Sequence, residues 1–145
     1  MIGGPPKPGF VIRYLYDWST EALVAPVTAE KERPAVIILS VMKSADRILV
    51  RVAPITHRQP DDLSRAIEIP ALTKARLGLD GQRSWVILHH ANEFIWPGPD
   101  VRPVPGRKPA TIYYGPLPPA FYDAMKLKLL GLLRLGRARA RIREQ

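Results

Sequence analysis

Two aliphatic runs on either side of a short polar turn constrain this chain more than any other feature. "RPAVIILSV" (33–41) is a continuous apolar stretch of strand length, and "RILVRVAPIT" (47–56) is a second, in which Ile48, Val50 and Val52 share one face. "KSAD" between them reads as a turn, so the pair predicts an antiparallel hairpin. Counting outward from that turn, Arg33 and Thr56 lie at similar distances on the two arms. They are therefore predicted to be neighbours on one rim of the sheet, unless a bulge slips the register.

Around the hairpin, sixteen prolines and ten glycines punctuate the chain, a pattern of short strands joined by turns. "GFVIRYLY" (9–16) alternates and is rich in β-formers, which predicts a first strand. Residues 17–32 read as a long polar loop and "HRQPDDLS" as another. "AIEIP" is a short strand ended by Pro70, and "ALTKARLGL" is one or two helical turns closed by Gly78. "SWVILHH" is a buried strand that "NEFIWP" continues or pairs with, and the stretch after it is proline-rich connection with one edge strand at 101–104. From Pro119 the character changes: Phe121, Met125, Leu129, Leu132 and Leu133 stand at helical spacing, which predicts the one long helix. The expected fold class is mainly β: a small barrel over residues 1–117, with residues 118–145 a C-terminal helix and basic tail packed on the same domain.

The 145 residues suit one domain, and the absence of cysteine excludes disulfides and thiolate metal sites. No apolar run approaches the roughly 20 residues of a membrane span, and "MIGGPPKPGF" lacks the apolar segment of a secretory signal, so a cytoplasmic location without membrane partners is expected. The net charge of +9 is uneven: residues 126–145 carry seven basic side chains and one acidic one. Such a tail suits a polyanion partner, nucleic acid first, and equally a solvated, solubilising segment.

Metal and cofactor chemistry is poorly supported. The histidines are His57, His89 and His90; none has a partner at i, i+4, and the adjacent His89 and His90 point to opposite strand faces. No glycine-rich phosphate loop and no nucleophile elbow is present, and Asp61 and Asp62 sit side by side without an opposed acid. What remains is the rim: Arg33 with Thr56, His57 and Arg58. A guanidinium fork beside a hydroxyl suits a phosphate, and a neighbouring imidazole moves protons near neutral pH. The same residues also fit the ordinary end of a strand pair. Among the tryptophans, Trp85 reads as core, whereas Trp96 and Trp18 are candidate platforms for a nucleic-acid base.

At these residues the chain resembles the MazF/PemK family of toxin endoribonucleases. "GFVIRYLYDW", "ERPAVIILS" and "VRVAPITHRQ" are similar to the family's first three strands in their order, with its Arg-Pro pair and its Pro-Ile-Thr ending; "SWVILHHANEFIW" is a weaker fourth match. The resemblance implies an SH3-like or CcdB-like barrel that forms a homodimer, pairs with an antitoxin protein and cleaves single-stranded RNA without metal or cofactor. In that chemistry the 2′-hydroxyl attacks phosphorus, leaving a 2′,3′-cyclic phosphate and a 5′-hydroxyl. The family's arginine falls on Arg33, as stabiliser of the pentavalent phosphate and as acid, and its threonine on Thr56. His57, Arg58 and Trp96 become the substrate-binding candidates.

The chain departs from the family pattern in two places. "HHAN" replaces the usual acid-Gln pair, which puts His90 where the acid is expected and makes it a candidate base. The loop "STEALVAPVTAEKE" lacks the family's Gly-Ser-Glu-Gln run, with Glu21 and Glu32 as possible substitutes, and a basic extension follows Leu135. Two alternatives therefore stand beside the ribonuclease: a catalytically silent relative that binds RNA or a protein, and a CcdB-type gyrase inhibitor.

Overall fold

The computed structural model describes residues 6–17, 30–136 and 138–142. Among the described residues nine strands and two α-helices follow in order: β1 (Phe10–Asp17), β2 (Glu30–Ser44), β3 (Arg47–Thr56), β4 (Ala66–Glu68), α1 (Ala71–Leu77), β5 (Trp85–Ile87), β6 (His90–Ile95), β7 (Val101–Arg102), β8 (Tyr113–Pro116), α2 (Pro119–Arg134) and β9 (Arg139–Ile142). The sheet runs β4-β5-β3-β2-β1-β7, with β6 also on β3, β8 also on β1, and β9 on β6. This is the expected mainly-β, barrel-like fold with a C-terminal helix. Among the described residues no helix is long and apolar enough to cross a membrane.

The hairpin is its centre. β2 runs to Ser44, so the turn is tighter than expected, with only Ala45 and Asp46 between the arms. The pairing Ala35↔Pro54, Val36↔Ala53, Ile37↔Val52 is antiparallel, and two bulges nearer the turn each shift the register by one residue, so that a straight count from Ser44↔Arg47 would set Arg33 opposite Arg58. β1 lies on the other side of β2, with Tyr14 opposite Arg33.

Both faces of this three-stranded centre are covered, which is why its strands read as unbroken apolar runs. On one face Val11, Val36, Ala53 and Ile55 pack with Leu88, Leu117, Met125 and Leu132, so α2 roofs this side. On the other, Ile12, Tyr14, Tyr16, Ala35, Ile37, Val50, Val52 and Phe94 form the barrel interior. Tyr14 stacks on Phe94 at 5.0 Å between ring centres. The barrel closes through a side chain: buried Asn92 of β6 accepts from the Asp17 N–H and donates to the Asp17 carbonyl, both at 2.8 Å. One amide thus replaces a rung of strand pairing between β6 and the end of β1.

Helix α1 ends at Gly78, whose φ of +71° is natural only for a residue without Cβ. The Arg107 guanidinium donates to the Leu77 carbonyl at 2.8 Å and occupies the space a Cβ at Gly78 would need.

Several expectations change. Of the loop predicted for 17–32, Asp17 belongs to β1 and residues 30–32 to β2; residues 18–29, with Trp18 and Glu21, lie outside the described residues. The edge strand expected at 101–104 is two residues long. β8 lies within the stretch read as connection, and β9 within the basic tail; β8 is recruited by the free edge of β1 and β9 by that of β6. In α2, Met125 and Leu132 are buried, but Leu133 faces outward.

Candidate functional site

Extending the Ala35↔Pro54 register by two residues sets Arg33 opposite Thr56, and both side chains line the same two adjoining cavities. The first, of about 650 Å³, is walled by Arg33, Thr56, Arg58, the 59–62 loop, Arg65, Ile87 and His89. The second, of about 530 Å³, shares Arg33, Thr56 and Arg58 and continues past Lys31, Arg13 and Tyr114. Arg33 and Thr56 therefore stand on the ridge between two hollows, with cations on both sides.

Burial lowers the Arg33 guanidinium from its ordinary value, and the charge interaction with Tyr16 acts the other way. The group stays cationic at neutral pH. The Thr56 hydroxyl oxygen accepts from the Arg58 N–H at 3.2 Å. That bond pins the side chain and leaves its O–H able to donate outward. Several of the cations are balanced: Arg13 by Glu32 at 3.2 Å and Arg65 by Asp62 at 3.3 Å. Among the described residues Arg58 and Lys31 are in no ion pair, against the single such carboxylate Asp61 in the cavity walls, so the surroundings of the ridge keep an excess of positive charge. An oxyanion there meets a guanidinium fork, a hydroxyl donor and long-range attraction together.

His57 belongs to a supporting network. Its Nδ1 lies 3.1 Å from Ser84 Oγ, and its Nε2 lies 2.7 Å from Asp80 Oδ2. The buried Lys74 ammonium donates to Asp80 at 2.9 Å, to Ser84 Oγ at 2.7 Å and to the Gln82 carbonyl. This network ties the residue after Thr56 to the α1–β5 loop, and so braces the rim. Burial opposes ionisation of Asp80, but bonds from Lys74 and the Gln82 N–H, with the charges of Lys74 and His57, hold its carboxyl below the ordinary value. A depressed carboxylate contributes stability that is present above its unfolded value and lost as pH falls through the folded one. Asp80→Asn is accordingly expected to flatten the acid limb of a denaturation-midpoint profile below about pH 4, measured by urea titration.

A search against models of known protein families found no match, and none of the curated proteins matches the chain. The site must stand on its own geometry.

That geometry sorts the six candidates. Arg33, Thr56, His57 and Arg58 all line the second cavity, and Arg33, Thr56 and Arg58 the first as well. His90 lines neither: it is fully buried in the barrel, with its Nδ1 2.6 Å from the Tyr16 hydroxyl. His89, which sequence reasoning passed over, takes the place at the first cavity. The strand expected over 84–90 is broken at Leu88 and His89, so His89 lies in the bend between β5 and β6 while His90 begins β6 and faces the barrel interior. Trp96 is not at the rim. Its N–H bonds the Ile48 carbonyl at 2.9 Å, eight residues up β3 from Thr56, or about 26 Å along a strand. It packs there near Phe94 and Tyr113. Trp85 is buried, as expected. Arg13 and Lys31 were missed, although their positions flanking the hairpin's open end were available by counting.

Proposed function

We propose that this chain is a metal-independent endoribonuclease of the MazF/PemK kind, acting on single-stranded RNA in the cytoplasm. One observation carries the reading: Arg33 and Thr56, distant in sequence, share a ridge between two cavities large enough to take the groups flanking one phosphate. The electropositive surroundings support a polyanion.

The scissile phosphate sits on the ridge. His89 takes the proton from the 2′-hydroxyl as the 2′-oxygen bonds to phosphorus. The bond from phosphorus to the 5′-oxygen breaks, leaving a 2′,3′-cyclic phosphate and a 5′-hydroxyl. Arg33 faces the non-bridging oxygens, where negative charge grows, and Thr56 donates a further hydrogen bond. Burial lowers the Arg33 pKa, the direction that suits a proton donor to the leaving 5′-oxygen. His57 and Arg58 place the rim and attract the backbone. A second copy of the chain and an antitoxin protein complete the expected partners.

The test is a digest of single-stranded RNA with chelator present, followed by analysis of product ends. Cyclic phosphate and 5′-hydroxyl termini are expected. Intact RNA, or products with 5′-phosphates, would refute the assignment. His89→Ala is expected to lower cleavage by about 10²-fold or more. His90→Ala is expected to act mainly through stability, because His90 is sealed behind Tyr16.

A further inference from the structure

Helix α2 uses one face to roof the sheet, through Met125 and Leu132 with Phe121 and Leu129 beside them. The opposite face, rotated by half a turn of the helical wheel, carries Asp123, Leu127, Leu130 and Arg134 in line. Leu127 is 73% exposed and Leu130 39%, an apolar centre on a surface where a solvated helix carries polar side chains. Among the described residues neither Asp123 nor Arg134 is in an ion pair.

The four residues are self-complementary. Lay a second α2 antiparallel on the first, with the two-fold axis between positions 128 and 129. Leu127 then meets the other copy's Leu130, and Asp123 meets the other copy's Arg134; both pairs recur by symmetry. One register satisfies the apolar and the charged pairs at once. A parallel arrangement would set Asp123 against Asp123 and Arg134 against Arg134.

We infer that the outward face of α2 is a two-fold contact with a second copy of this chain, closed by two Leu127–Leu130 pairs and two Asp123–Arg134 pairs. A homodimer is part of the reading proposed above; the surface and its register are new and rest on α2 alone. The interface is isologous, so it closes at two copies and does not propagate. The 16-residue helix is about 24 Å long, so the contact lies at the small end for protein pairs and gives a reversible, concentration-dependent dimer. Antiparallel macrodipoles favour it further.

Charge exchange tests this on the full chain by sedimentation velocity across a dilution series, without RNA. The wild type is expected to shift from dimer to monomer on dilution. Asp123→Arg and Arg134→Asp are each expected to weaken the dimer at least tenfold, because each makes two like-charge contacts. The double variant D123R/R134D is expected to recover it. Asp123 and Arg134 also suit the dipole of their own helix, but the double exchange reverses that benefit while keeping the intermolecular pairs, so recovery isolates the contact. Circular dichroism checks that each variant is folded, and Leu127→Gln supplies an uncharged disruption of the same face. A chain monomeric at its highest soluble concentration overturns the inference. So does a dimer indifferent to all four variants, or a monomer that instead sediments with anionic vesicles through this face. None of these outcomes affects the RNA digest, so the two readings fail separately.

Discussion

Arg33→Ala is expected to lower the single-turnover rate of RNA cleavage by about 10²–10³-fold, the usual effect of removing one fixed donor from a developing oxyanion. The loss should lie in the chemical step more than in binding, because Arg13, Lys31 and Arg58 still line the cavities and attract the strand. Arg33→Lys keeps the charge but loses the planar fork, and is expected to recover only a small part of the rate. Thr56→Ala is expected to cost less and Thr56→Ser to restore most of it, because only the hydroxyl is used. An Arg33→Ala protein that cleaves at the wild-type rate would remove the ridge from the mechanism.

Asn92→Ala is expected to cost about 2–6 kcal/mol of folding stability, from the loss of both bonds to the buried Asp17 backbone, each worth about 1–3 kcal/mol. A further small loss comes from the cavity. Asn92→Asp keeps the acceptor for the Asp17 N–H but sets a carboxylate against the Asp17 carbonyl, and is expected to be nearly as damaging. Urea denaturation at neutral pH measures both. The consequence for activity follows from position: β1 carries Tyr14, opposite Arg33, and Tyr16, whose charge acts on it. Loosening the end of β1 should therefore lower cleavage as well. A stability change below about 0.5 kcal/mol, the range of ordinary surface substitutions, would mean that the barrel is closed by something other than this amide.

Legibility differed by element, for physical reasons. Strand β3 was readable to the residue, because its apolar alternation ends at a bulky polar cluster and a proline. Helix α1 was readable through Gly78, since a left-handed cap has few sequence solutions. β8 and β9 were not: "YYGP" and "RARI" carry no period of their own, and become strands because β1 and β6 present open edges beside them. In α2, Phe121, Met125, Leu129 and Leu132 of the expected stripe pack on the sheet, whereas Leu133 lies beyond the arc that the sheet covers.

For the site, the residues alone placed Arg33 and Thr56 on one rim by a count from a four-residue turn; the actual turn has two residues, and the two bulges between it and Ile37 restore the same outer register. Alternation predicted that His89 and His90 part company, and they do, but His89 lies in the break between β5 and β6 rather than on a strand. Only the tertiary structure decided which of them faces the cavity, which end of the barrel Trp96 occupies, and that Lys74, Asp80 and Ser84 brace His57. Those outcomes depend on how strands far apart in sequence close on one another, through contacts such as Asn92 with Asp17 and Tyr16 with His90. Closure of that kind selects among faces that a periodic pattern leaves equivalent.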